Sequence, residues 1–137
     1  MKFSIKAILC SVLVLLLCGK ASAQNSGNGY DVFVPIAKYI SQGDAEKLSA
    51  WFAPNLEVAL LGKSSSCSSK QAKQIVKSFF EKNTPRSFKI DHTASQLSMK
   101  YALGTLGAGG ETYKVTIFVS YKKDEYRIQQ LKIEKQD

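Results

Sequence analysis

The chain has 137 residues and carries 19 basic and 11 acidic side chains, a net charge of +8, with only three cysteines and one histidine. That length builds one hydrophobic core rather than two. One histidine and so few cysteines exclude a metal or redox cluster, unless carboxylates supply most of the ligands. Residues 1–23 have the layout of a signal peptide. Lys2 and Lys6 start it, Ala7 to Leu17 form an apolar run too short to cross a bilayer as a helix, and Ala21-Ser22-Ala23 offers the small residues a signal peptidase reads. Cleavage then falls before Gln24. The alternative is lipidation at Cys18, which follows the apolar run, although the attachment pattern calls for a small residue where Leu17 stands. Either route takes the chain out of the cytoplasm, to the periplasm or the medium, with no transmembrane segment expected. The remaining 114 residues carry 16 basic and 11 acidic side chains, a net of +5, and Cys67 alone, so no internal disulfide forms.

Residues 24–29, QNSGNG, have nothing to bury and predict a tether. The domain is expected over residues 30–137. Phe33, Ile36, Ala37 and Ile40 recur at helical spacing from about Asp31, with Pro35 early enough to be tolerated. Gly43 is a natural stop, and Asp44 can cap a second helix carrying Leu48, Trp51 and Phe52 on one face until Pro54. Asn55 to Leu61 predicts a short strand and Gly62 to Ser66 a loop. Ser68-Ser69-Lys70-Gln71 is a capping box opening a third helix, with Ala72, Ile75, Val76, Phe79 and Phe80 on its apolar side and Lys70, Lys73 and Lys77 opposite. The lysines are spread over the whole chain in this manner, which is the pattern of a solvated surface and not of a nucleic-acid site.

After Thr84-Pro85 the period changes to two. Phe88, Ile90 and His92 share one face of a first strand, and Leu97, Met99, Tyr101 and Leu103 line one face of a second. Gly107 to Gly110 predict a hairpin turn. Tyr113, Val115, Ile117, Val119 and Tyr121 line one face of the next strand, with Phe118 on the other. In the last strand Tyr126 and Ile128 have one parity, Leu131 and Ile133 the other. One extra residue near Gln129-Gln130, a β-bulge, restores both pairs to the core.

Helices first and strands after them predict an α+β domain, three N-terminal helices packed on a strongly curved antiparallel sheet. That order, with Gly43-Asp44 at the first break, resembles the cone-shaped fold of nuclear transport factor 2 and its SnoaL-like, cystatin-like relatives. The stretches CSSKQAKQIVKSFF, YALGTL, YKVTIFVSYK and IQQLKIE are similar to an uncharacterised family of exported bacterial proteins, a domain-of-unknown-function group in that superfamily. The resemblance implies the cone but no activity. Across the superfamily the wide end of the cone is an active site, a ligand pocket or a filled core, and the open sheet face often makes a dimer.

The candidate lining of such a cone is Trp51, Phe79, Phe80, Tyr101, Val115, Ile117 and Gln130, and Phe118 is the candidate interface residue. Catalytic groups are sparse. Glu57 alternates with Leu56 and Val58 and is expected in solvent, whereas Asp91 and His92, as neighbours on a strand, point to opposite faces. No phosphate loop, nucleophile elbow or metal pair is present. Cys67 stands just before a helix N-terminus, which lowers a thiol pKa, but a small apolar residue packed under the loop is the plainer reading. The functional expectation is therefore an exported, non-catalytic binding module for a small apolar ligand or a protein partner, with no cofactor and no nucleic acid. A structural or homodimerising domain with a filled cone is the alternative, and a cone isomerase or dehydratase a third reading.

Overall fold

The structure, a computed structural model, describes residues 31–136. The expected signal peptide (1–23) and tether (24–29) lie outside the described residues. Helix α1 spans Phe33–Gln42 and α2 Ala45–Ser49; strands β1 (Phe52–Leu60) and β2 (Lys63–Ser68) follow, then α3 (Ser69–Lys82), β3 (Pro85–Gln96), β4 (Met99–Ala108), β5 (Glu111–Lys122) and β6 (Glu125–Lys135). The strands form one sheet in the order β2-β1-β6-β5-β4-β3. Every neighbouring pair is antiparallel except β1 and β6, which run parallel, so the expected all-antiparallel sheet is in fact mixed. Strand β2 replaces the expected loop. Its Lys-Ser-Ser-Ser-Cys-Ser sequence has little strand propensity, and it is held by its register against β1.

The helix ends follow local chemistry. Gly43 closes α1 in the left-handed region at φ 68°, and Asp44 caps α2 by accepting a bond from the Lys47 amide at 3.0 Å. The capping box forms at α3. The Gln71 amide donates to Ser68 Oγ at 3.2 Å, and the Ser68 amide donates back to Gln71 Oε1 at 3.0 Å. Helix α2 is shorter than expected. Trp51 and Phe52 have left it, and Phe52 opens β1 opposite Ile128.

Side chains from both layers meet in one cluster. Ile36, Ile40 and Leu48 come from α1 and α2, Val76, Phe79 and Phe80 from α3, and Leu56, Leu106, Val115, Ile117, Leu131 and Ile133 from the sheet. Helix α1 packs on β3, α2 on α3, and α3 on β1 and β2.

Two bulges decide which side chains face this core. In β6, Phe118 pairs with Gln130 but Val119 with Ile128, so Gln129 is the extra residue. Ile128 and Leu131 are consequently both buried, as the change of parity requires. In β3, Ile90 pairs with Gly104 but His92 with Leu103, leaving Asp91 extra. The expectation that His92 follows Phe88 and Ile90 is corrected by this bulge. His92 lies with Leu103 on the opposite face.

Strand β4 is also reversed from expectation. Ala102 and Leu106 face the core with no exposure, and Tyr101 and Leu103 face outward. Leu97 is not in a strand at all: it is fully exposed in the β3–β4 turn at φ 54°. The reason is steric. A Cβ on Gly104 would lie 2.5 Å from Phe88 Cζ and 2.8 Å from the Lys89 carbonyl, so the Phe88 ring fills the place of the missing side chain. Small residues on β4 make room for a large one on β3. Tyr121, the last of the expected inward residues on β5, is exposed near the β5–β6 turn.

Candidate functional site

The expected cone lining divides between two faces. Phe79, Phe80, Val115 and Ile117 are all buried in the core. Phe79 meets Phe80 with ring centroids 6.1 Å apart and the edge of Tyr113 at 5.2 Å. The Tyr113 hydroxyl donates to Asn83 Oδ1 at 3.2 Å, closing that end of the cluster. Trp51 is half-buried at the margin of the core, and its carbonyl accepts from the Ile128 amide at 2.7 Å. Tyr101 and Gln130, placed with this set by sequence reasoning, belong to the other face of the sheet.

That other face, which carries none of the core-forming helices, gathers the remaining candidates. The register sets Ala94, Tyr101, Phe118, Gln130 and Glu57 side by side across β3, β4, β5, β6 and β1. Tyr101 and Phe118 are direct cross-strand partners and stack, with centroids 5.3 Å apart and planes tilted by 20°. Such a pair contributes about 0.5–1.5 kcal/mol beyond the burial of its area. The edge of His92 meets Tyr101 at 6.2 Å. Leu103 sits in the next row between His92 and Thr116. A shallow hollow of about 200 Å³ adjoins the stack, bordered by Ala94, Met99 and Lys100. Tyr101, Leu103 and Phe118 are half-buried, and Met99 is 39% exposed. An apolar centre of this kind on an uncovered sheet face is a contact surface in the making.

Charges of both signs surround it. Lys132 and Glu134 approach within 3.6 Å, and Lys114 pairs in register with Glu134. Glu57 accepts from Gln130 Nε2 at 3.0 Å and from the Ser64 hydroxyl. Asp91 and His92 both emerge on this face because of the bulge, and Asp91 Oδ2 accepts from Thr105 Oγ1 at 2.6 Å. Each of these carboxylates is therefore already engaged by a neighbour. Glu111 is engaged likewise, lying 3.5 Å from Lys135. Among the described residues no group of three or more His, Cys, Asp or Glu side chains is arranged to hold a metal ion. Cys67 is buried, and burial pushes its thiol pKa up, which disfavours the thiolate.

Sequence reasoning found Phe118 on the outward face but missed its partners. Tyr101 and Leu103 are large and mainly apolar, and size alone assigns them to the core. The usable signal was the run Ala102, Gly104, Leu106, Ala108, which has the same period and in which Gly104 leaves room for the Phe88 ring.

The fold recurs in solved structures. A DUF4783 family protein from Bacteroides ovatus ATCC 8483 superposes with a TM-score of 0.76 at 21% identity, over 80% of this chain and 99% of that one. One from Bacteroides uniformis ATCC 8492 gives 0.75 at 20% identity, over 78% and 99%. An NTF2-like protein of unknown function from Shewanella baltica OS155 gives 0.62 at 7% identity, over 84% and 96%. No functionally curated protein matches the chain. A family model described as a domain of unknown function, DUF4783, matches residues 33–134, almost the whole of the described region, and the chain belongs to that family.

Proposed function

We propose that the chain is an exported, non-catalytic binding domain that works through its outer sheet face, and that the occupant of that face is a second copy of the same chain. The observation that carries this reading is the stacked Tyr101–Phe118 pair, half-buried at the centre of the face no core helix covers. A two-fold contact must be self-complementary. Lys89, Lys114 and Lys132 lie on the same face as Asp91, Glu57 and Glu134, so a rotated copy can set opposite charges against one another. A surface shaped for nucleic acid or anionic lipid would carry one sign only. The buried Phe79, Phe80, Val115 and Ile117 support a filled cone, which speaks for this face over an interior ligand. Engagement of Glu57, Asp91 and Glu111 by neighbours supports the non-catalytic part.

Hydroxyl-radical footprinting at low and high protein concentration tests the surface. Tyr101 and Phe118 should lose reactivity at high concentration while Tyr39, half-buried on α1, keeps it; unchanged reactivity at all three positions would remove the proposal. Export rests on the Ala21-Ser22-Ala23 site. Intact mass should place the mature N-terminus at Gln24, and a lipid on Cys18 would contradict that cleavage.

A further inference from the structure

A groove of about 640 Å³ lies where the β5–β6 hairpin meets the start of β1, and Ser120 in its lining shares the outer face of β5 with Phe118. It has a definite origin in the register. From Phe52 to Glu57 β1 advances five residues, while its partner β6 advances only two, from Ile128 to Gln130. The strands part over that stretch and expose the space between them. Phe52 and Ala53, each 3% exposed, supply an apolar floor.

The polar wall comes from the β6 bulge. Gln129 Nε2 donates to Ser120 Oγ at 2.8 Å. Ser120 is 2% exposed, the sole buried polar residue among those described, and it lines the groove. Its hydroxyl accepts this bond but donates to no group among the described residues, so its proton is available to an acceptor in the groove.

The rim is cationic. Arg127 is already matched, since it donates to Glu125 at 2.9 Å and to the Ala50 carbonyl. Lys122 and Lys123 also line the groove, and neither has an acidic partner among the described residues.

We propose that this groove binds a small organic anion with a short apolar body, its anionic head held by Lys122, Lys123 and the Ser120 hydroxyl and its body lying over Phe52 and Ala53. The volume is that of an ordinary small-molecule site, and two unpaired ammonium groups beside a buried hydroxyl suit a carboxylate or phosphate head. An acyl anion of this type is either free or part of a membrane lipid, and the groove commits to the free form. Its floor, Phe52 and Ala53, is recessed at 3% exposure each and suits a chain end, which a bilayer does not present.

Titration calorimetry of the full mature chain with decanoate tests the proposal, with decanol as the uncharged control. Vesicles of phosphatidylglycerol in phosphatidylcholine supply the lipid arm. Decanoate should bind one to one and about tenfold more tightly than decanol, the scale of one charge-assisted contact. The exposed pair Lys122→Gln/Lys123→Gln should erase that difference while leaving the thermal melt unchanged. Ser120→Ala should weaken decanoate binding and spare decanol. Tyr101→Ser, a neutral change that removes the stack one strand away from the groove, should leave decanoate binding intact, which separates this site from the proposed self-association. Absence of decanoate binding, equal binding by the double-lysine variant, or binding to vesicles alone would each overturn the proposal.

Discussion

Gly104 shows how one missing side chain orients a strand. Its Cα hydrogen faces the core under the Phe88 ring, and any Cβ there meets both that ring and the Lys89 carbonyl. The ring can rotate, but the carbonyl belongs to the β3 backbone and cannot yield cheaply. Gly104→Ala should therefore destabilise by about 1–3 kcal/mol in urea unfolding, the usual cost of overpacking; a neutral or stabilising result would mean that Phe88 is not seated as described. Cys67 gives a second prediction at this scale. Its thiol pKa is raised in the folded state by burial, so folding favours the protonated form. Its stabilising contribution is fully present below the pKa of the unfolded thiol and is lost as pH rises through the folded value. Wild type should lose more stability between neutral and alkaline pH than Cys67→Ala, and native Cys67 should react slowly with an aromatic disulfide reagent. Equal pH dependence in the two proteins would count against it.

At the scale of elements, what was legible from the residues was whatever depends on near neighbours. The capping box at Ser68, the stop at Gly43 and the bulge near Gln129 are each encoded within a few positions and all are present, and the turn expected over Gly107 to Gly110 forms at Gly109-Gly110 alone, with Gly107 and Ala108 still in β4. What was not legible depends on partners far along the chain. Strand β2 exists because β1 offers it an edge, and His92 changes face because a bulge at Asp91 absorbs one residue against β4. Tyr101 reads as an interior residue for the same reason, since only pairing with Phe118 reveals its side. The Gln129 bulge is the element on which both the core and the candidate groove depend. Deleting Gln129 should turn Ile128, which has no exposure, out of the core, or move Leu131 and Ile133 out instead. A loss of at least about 2–4 kcal/mol is expected on the scale of one buried aliphatic side chain removed, measured by chemical denaturation. A variant of near wild-type stability would show that the extra residue is dispensable.

For the described domain as a whole, helices cover one face of the sheet and leave the other to solvent or to a partner. The interior is occupied by the chain's own aromatic and aliphatic side chains, so the candidate function moves to the surface. There the Tyr101–Phe118 stack lies in an apolar patch with Leu103, and the surrounding charges alternate in sign. Family membership sets the fold and the DUF4783 description carries no activity, so the physical properties of this face are the firmest basis for a role. Sedimentation equilibrium of the wild type and of Phe118→Lys over a broad concentration range tests that role most directly. The account predicts a reversible wild-type dimer, and a Phe118→Lys protein that stays monomeric with unchanged circular dichroism. A wild type that remains monomeric at the highest concentration, or a variant that dimerises as well as the wild type, would contradict it.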